Sequence, residues 1–178
     1  NDYFDIESDK KHPEKKNRPL ASGAISKTSA KVLFGFLVAL SIGLIFLGSY
    51  IFETNYWKFG IIIATYFVMN IFYTFKLKHV AIVDICIIAS GFVLRILAGG
   101  YAADIQTTQW AILLTFVLAL VLAIGKRRGE LINAQISGKT RKSLDGYNVQ
   151  FADIALSISV TLAIICYLMF TLSPEIQK

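Results

Sequence analysis

The sequence has few of the residues and motifs that build disulfide-bonded, zinc-binding or nucleotide-binding domains. Its 178 residues include only two cysteines and three prolines, and charged residues make up 17% of the chain. Cys86 and Cys166 lie near opposite ends of their apolar stretches, so a disulfide between them is not expected. We expect both to be small packing residues. Zinc-ligand spacings, a Walker loop, a nucleophile elbow, a heptad repeat and Gly-x-Gly phosphate cradles are all absent, which excludes the enzyme classes that depend on them.

The abundant residues are apolar, at 55% of the chain. Five apolar stretches approach the roughly 20 residues that cross a bilayer as a helix. These patterns predict an all-α, polytopic transmembrane helical bundle forming one integral-membrane domain over residues 1–178. The predicted spans are Val32–Phe52, Trp57–Phe75, Val80–Tyr101, Trp110–Gly125 and Phe151–Leu172.

The net charge of +6 is unevenly distributed. Residues 1–31, 76–79 and 126–149 hold seven, two and six of the 18 Lys and Arg residues. If all five stretches span, these segments lie on one side, which the positive-inside rule assigns to the cytoplasm. The basic charge therefore predicts a multi-pass protein of the cytoplasmic membrane and no nucleic-acid partner.

The first nine residues carry an acidic pattern with helical spacing. On a helix of about 100° per residue, Asn1, Asp2, Asp5 and Asp9 share one face, where like charges repel. Oxygen ligands that leave room for water and a substrate phosphate suit Mg²⁺. A solvated acidic helix start is the plainer alternative. The basic run Lys15–Leu20 follows closely, however, and this combination predicts a magnesium and diphosphate site, with Lys16 and Arg18 contacting phosphate.

This stretch resembles a known motif. N-D-x-x-D-x-x-x-D followed by K-x-x-R-P-L-x-x-G is similar to the first aspartate-rich motif of the UbiA-type intramembrane prenyltransferases. The resemblance implies that Asp5 and Asp9 are catalytic metal ligands. It also implies a protein of roughly nine helices, of which this chain is expected to be an internal fragment with flanking helices at both ends.

A second basic segment follows the predicted second span. Lys76 and Lys78 are typical of lysines that anchor a helix end to lipid headgroups. The resembling family has a tyrosine followed by a basic residue at this place. That implies a catalytic role for Lys76 and phosphate contacts for Tyr73 and Lys78.

Two ionisable residues lie within the predicted third span, where such groups are costly and usually face the bundle interior. We expect Asp84 to pair with Lys76 or Lys78, or to help shape a polar cavity. Arg95 lies deeper in the span, so a structural ion pair or snorkelling is favoured over substrate contact.

The segment after Gly125 is predicted to be a loop, and it departs from the common family pattern. Most family members that prenylate aromatic rings have a second aspartate-rich motif here, whereas this segment has only Glu130 and Asp145 among six cations. Arginine forks match phosphate oxygens well, although the triplet at 126–128 is also typical of a lipid anchor. The predicted phosphate-binding residues are Lys126, Arg127, Arg128, Arg141 and Tyr147.

With K-H-V-x-x-V-D-I, G-F-V-L-R-x-x-A-G-G and G-K-R-R-G-E-L, the chain looks like the decaprenyl-phosphate phosphoribosyltransferase branch of the family. The resemblance implies Mg²⁺-dependent transfer of a 5-phosphoribosyl group from phosphoribosyl diphosphate to a polyprenyl phosphate. One alternative is prenyl transfer from a polyprenyl diphosphate to an aromatic acceptor. A non-enzymatic alternative is an ion-binding membrane scaffold or transporter.

Overall fold

The structure is a computed structural model that describes residues 2–11, 15–51, 57–137 and 146–173. The chain divides into two compact units, Asn1–Tyr56 and Trp57–Lys178.

The first unit consists of a short helix, a turn and a long apolar helix. Helix α1 is Asp2–Lys10, a 3₁₀ turn follows at Lys15–Asn17, and α2 is Lys27–Ile51. The predicted acidic helix is thus confirmed. Helix α2 begins five residues before the predicted Val32, because Ser26 caps it and accepts a hydrogen bond from the Ser29 N–H at 3.0 Å.

In the described part of the second unit, four α-helices pack in sequence order. Helix α4 contacts α3 and α5, and α5 contacts α6. Small residues at these interfaces let the helices approach closely. The helices are α3 (Trp57–Phe75), α4 (Val83–Ala102), α5 (Gln109–Ser137) and α6 (Val149–Leu172), with a 3₁₀ turn at Leu77–His79 before α4.

Two clusters of buried side chains form the interior of this unit. One contains Ile85 of α4, Ala123 and Ile124 of α5, and Ala152 of α6. The other joins Val117 to Ala163 and Cys166. Both cysteines are free thiols, as expected.

Within the described residues, five helices are long and apolar enough to cross a membrane: Lys27–Tyr50, Trp57–Phe75, Val83–Ala102, Gln109–Gln135 and Val149–Leu172. Many of their large apolar side chains are exposed, as lipid-facing side chains are. The all-α, polytopic fold is therefore confirmed, and the chain is a multi-pass membrane protein.

Two further predicted boundaries were wrong, and both lie near charged residues. Residues 126–137 continue α5 and are not a loop. The segment contains good helix formers and an ion pair between Arg127 and Glu130, three residues apart on the same face. Helix α4 begins at Val83 and not at Val80, because residues 80–82 form a turn.

Candidate functional site

Helix α1 places Asp5 and Asp9 one turn apart on the same face. Asp5 is half-buried, and Asp9 is buried with 5% of its surface exposed. Arg18 Nη1 donates to Asp9 Oδ2 at 3.0 Å, which balances part of the Asp9 charge. Arg18, which was predicted to contact phosphate, thus contacts a protein carboxylate in the structure. Its contact to phosphate stays a prediction. Asn1 and the side chain of Asp2 lie outside the described residues.

The donor atoms of α1 are chemically suited to Mg²⁺. Two carboxylates one turn apart supply hard oxygen ligands, and Mg²⁺ commonly takes one or two carboxylates and completes its shell with water and substrate phosphates. Within the part of the chain that the structure describes, no group of three or more His, Cys, Asp or Glu side chains converges. Of the four predicted metal ligands, the structure describes the side chains of Asp5 and Asp9, and Lys16 is exposed on the 3₁₀ turn.

In the second unit, the predicted basic segment lies where α3 ends. Lys76 is exposed and immediately precedes the 3₁₀ turn, while Lys78 lies within the turn and is partly buried. Tyr73, on the last turn of α3, is half-buried and interacts with Arg127, Asp84 and Glu130. Tyr73, one of the predicted phosphate-binding residues, therefore lies beside charged side chains of α4 and α5.

These charged side chains form a buried ion network around Asp84. Asp84 has 0% of its surface exposed, and Arg127 has 9%. Arg127 Nε donates to Asp84 Oδ2 at 2.7 Å, and Arg127 Nη1 donates to Glu130 Oε2 at 2.6 Å. Burying an unpaired carboxylate is very costly, so the guanidinium is what allows Asp84 to lie inside the bundle. The prediction that named Lys76 or Lys78 as its partner was wrong, because the extension of α5 brings Arg127 opposite Asp84.

Tyr147 completes the network from the segment before α6. Its hydroxyl donates to Asp84 Oδ1 at 2.5 Å and accepts a hydrogen bond from the Ile82 N–H at 2.6 Å. Burial and the hydrogen bond to Asp84 raise the pKa of the Tyr147 hydroxyl above its usual range, so it stays protonated and donates. Both carboxylate oxygens of Asp84 therefore accept from a protein donor.

The turn that Tyr147 contacts is strained. Ile82 has φ 69° and ψ −47°, a region that costs a β-branched residue about 1–3 kcal/mol. Gly146 packs against the same turn with φ 94°, and a Cβ at this position would stand 3.0 Å from Ala81 Cβ. A glycine is thus required at 146 both by the backbone angle and by the close approach.

The other two cations of the Lys-Arg-Arg triplet differ in their surroundings. Lys126 is exposed, whereas Arg128 Nε donates to Asp153 Oδ1 of α6. Arg127 and Arg128 therefore contact protein carboxylates, and their predicted contacts to phosphate stay predictions. Arg141 lies outside the described residues.

Arg95, deep in α4, has aromatic partners. Its Nη2 donates to the Tyr66 hydroxyl at 2.6 Å, and its guanidinium carbon lies 5.2 Å and 5.0 Å from the ring centroids of Tyr66 and Phe92. A guanidinium stacked on aromatic rings is stabilised by cation–π attraction. Of the two favoured roles, an ion pair or snorkelling, the structure shows no ion pair of Arg95 among the described residues; it shows a hydrogen bond and ring contacts instead.

Sequence reasoning missed the roles of Ile82 and Asp153. Nothing in a single isoleucine marks a positive φ angle, and Asp153 lies 25 residues from Arg128, too far for a helical spacing rule to pair them. Asp84 was recognisable as unusual because an acid within a membrane span is rare.

Several of the known proteins that this chain resembles share one name, and three of them are described here. Proteins named decaprenyl-phosphate phosphoribosyltransferase are 38% identical in Mycolicibacterium smegmatis, 36% in Corynebacterium glutamicum and 33% in Mycobacterium tuberculosis. The matches cover 98%, 94% and 94% of this chain, and 53%, 49% and 53% of the relatives. The chain thus spans about half the length of the curated relatives it matches.

A family model agrees with these matches and extends over nearly the whole chain. The model described as the UbiA prenyltransferase family matches residues 1–174. The five helices that are long and apolar enough to span a membrane agree with the polytopic helical fold of this family. The chain belongs to the UbiA prenyltransferase family.

Proposed function

We propose that the protein containing this chain transfers a 5-phosphoribosyl group from phosphoribosyl diphosphate to a polyprenyl phosphate of the decaprenyl type, with Mg²⁺ as cofactor. The similarity to relatives named for decaprenyl-phosphate phosphoribosyl transfer supports this substrate pair, since it extends over 94–98% of the chain.

The observation that favours phosphoribosyl over aromatic prenyl transfer is the state of Glu130. It is the only acid between Gly125 and Ser137, the region where a second aspartate-rich motif would supply carboxylates. Arg127 Nη1 donates to its Oε2 at 2.6 Å, so this acid is engaged in an internal ion pair. Asp145, the other acid of the segment, lies outside the described residues. We therefore assign the binding of the leaving diphosphate to the acidic motif on α1.

The reaction forms one bond and breaks one bond. A phosphate oxygen of the lipid attacks C1 of the ribose, and the bond from C1 to the diphosphate oxygen breaks, so that diphosphate leaves with the electron pair. The lipid phosphate is already an anion, and the attack therefore needs no strong general base.

The roles of the residues follow from charge. Asp5 and Asp9 hold Mg²⁺, which supplies positive charge opposite the departing diphosphate when bound. Lys76 and Lys78 bind phosphate oxygens and orient the substrate, and Lys16 and Arg18 give further contacts. The uneven distribution of Lys and Arg supports a cytoplasmic orientation of these segments in the plasma membrane.

A transfer assay with both substrate types tests the proposal. Membranes carrying the complete protein are incubated with radiolabelled phosphoribosyl diphosphate, a polyprenyl phosphate and Mg²⁺, and the organic phase is counted. We expect label in the organic phase with Mg²⁺ and none after chelation. Transfer from a polyprenyl diphosphate to 4-hydroxybenzoate, without phosphoribosyl transfer, would contradict the proposal and favour aromatic prenylation.

A further inference from the structure

The turn between α3 and α4 is held at both of its ends by residues of the Asp84 network. Residues 76–82 carry Lys76 and Lys78, and they connect Tyr73 at the end of α3 to Asp84 in the first turn of α4. Tyr73 interacts with Arg127 at one end of the turn, and the Tyr147 hydroxyl binds the Ile82 N–H at the other. The conformation of the lysine-bearing turn therefore depends on groups that lie far away in the sequence.

The network has the properties of a positioning device rather than a ligand site. Asp84 is fully buried, and its two carboxylate oxygens accept from Arg127 Nε and the Tyr147 hydroxyl. In the described part of the chain, no buried side-chain nitrogen or oxygen lacks a hydrogen-bond partner. The Asp84 carboxylate is therefore fully hydrogen-bonded by the protein itself, without a substrate or a metal.

The strained backbone supports the same interpretation. A positive φ at Ile82 persists only when surrounding contacts enforce it, and such residues cluster at functional sites. Three contacts surround Ile82: its N–H donates to the Tyr147 hydroxyl, the Val83 N–H donates to the Ala81 carbonyl at 2.8 Å, and Gly146 packs on Ala81. The strain is located four residues after Lys78, at the point where the turn enters α4.

We infer that Asp84 is a positioning residue that acts through Arg127 and Tyr147 to fix the turn 76–82, and with it Lys76 and Lys78, in the conformation that binds substrate phosphate. The inference rests on the proposed function and adds a second role for Arg127, which fixes the turn through Asp84. It predicts that damage to the network changes substrate binding even though Lys76 and Lys78 are retained.

The first test uses hydrogen–deuterium exchange on the complete protein in detergent. Tyr147→Phe removes the hydroxyl that binds both Asp84 and Ile82 but keeps the ring. We expect amide exchange in residues 80–84 to become about 5–10-fold faster, as the loss of one hydrogen bond allows. Asp153→Asn is the matched control, since it breaks the ion pair between Arg128 of α5 and Asp153 of α6, outside the Asp84 network, and should leave this exchange unchanged. Unchanged exchange in Tyr147→Phe would overturn the inference.

The same Tyr147→Phe protein is then assayed for phosphoribosyl transfer. We expect the KM for phosphoribosyl diphosphate to rise about 5–10-fold while kcat changes less, because a displaced turn weakens substrate binding. Wild-type protein without phosphoribosyl transfer would overturn the proposed function. Active wild type with an unchanged KM in Tyr147→Phe would overturn the positioning role alone.

A double substitution distinguishes positioning by Arg127 from direct phosphate binding. Arg127→Gln leaves the buried Asp84 without its cation, whereas Asp84→Asn combined with Arg127→Gln restores a neutral, hydrogen-bonding pair. If Arg127 acts through Asp84, the double variant should regain kcat/KM by at least ~5-fold over Arg127→Gln, because interacting residues are non-additive. If Arg127 serves only as a phosphate ligand, the double variant stays as defective as the single one, which would overturn its positioning role.

Discussion

The acids of α1 and the acid that begins α4 are held in different ways. Asp5 and Asp9 lie on a nine-residue helix, and the cation paired with Asp9 is Arg18, whose side chain is 38% exposed. Asp84 is fully buried and accepts from Arg127 and Tyr147. An acid beside a partly exposed cation can exchange that partner for a metal or substrate, whereas an acid enclosed by buried donors has a fixed, structural partner.

The largest expected effect comes from breaking the buried pair. Arg127→Gln leaves Asp84 as an uncompensated charge, which should lower the free energy of unfolding by about 3–5 kcal/mol. Thermal unfolding of the complete protein in detergent measures this loss. Arg18→Gln, which breaks the more exposed pair with Asp9, is the comparison and should cost about 1 kcal/mol. Equal losses in the two variants would show that burial does not separate the two regions.

A second prediction concerns activity. Asp5→Asn should lower the turnover of phosphoribosyl transfer by at least ~10²-fold, because charge that stabilises the leaving diphosphate is lost. Folding should survive, since removing one charge relieves repulsion on the acidic face. Asp9→Asn should behave similarly in turnover. Near-normal turnover at saturating Mg²⁺ in either variant would remove that carboxylate from the proposed metal site.

The third prediction tests Arg128, whose ion pair with Asp153 is 40–47% exposed. If Arg128 also contacts phosphate, Arg128→Ala should lower kcat/KM for phosphoribosyl diphosphate by roughly 10–150-fold, the loss expected for a charge-assisted contact of about 1.5–3 kcal/mol. Steady-state kinetics with each substrate varied in turn provides the measurement. Unchanged KM and kcat, with altered yield or insertion only, would assign Arg128 to anchoring and to its pair with Asp153.

The smallest effect is expected from Glu7, an exposed acid of α1 that pairs with Lys10 at 3.2 Å. At about 100° per residue it lies on the side of the helix opposite Asp5 and Asp9. Glu7→Gln should therefore change stability by less than ~0.5 kcal/mol and leave turnover intact. A loss of turnover as large as that of Asp5→Asn would mean that the total charge of α1 matters, and not the face that carries it.

The sequence predicted those features that depend on local pattern. Apolar runs of span length located all five long helices, and the spacing of Asp5 and Asp9 predicted α1. The end of α5 was missed, because a cluster of cations after an apolar run is typical of a membrane boundary. That cue marks where the membrane ends and not where the helix ends.

The partners of Asp84 could not be predicted because they depend on tertiary packing. Arg127 is 43 residues away and Tyr147 is 63 residues away, so no local spacing rule relates them. Lys76 and Lys78 were the obvious partners by proximity along the chain. The backbone of Ile82 was equally hidden, since nothing in a single isoleucine marks the positive φ of a turn closed by the hydrogen bond from the Val83 N–H to the Ala81 carbonyl.

The magnesium dependence of the proposed transfer reaction is the most direct test of whether the acids of α1 and Asp84 have different roles. The concentration of Mg²⁺ that gives half-maximal phosphoribosyl transfer is measured for the complete wild-type protein, Asp5→Asn and Asp84→Asn. If the acids of α1 hold the metal and Asp84 only positions the turn, Asp5→Asn raises this concentration by at least ~10-fold. Asp84→Asn then lowers activity at an unchanged concentration. A shift in Asp84→Asn with none in Asp5→Asn would contradict the assignment of the two regions.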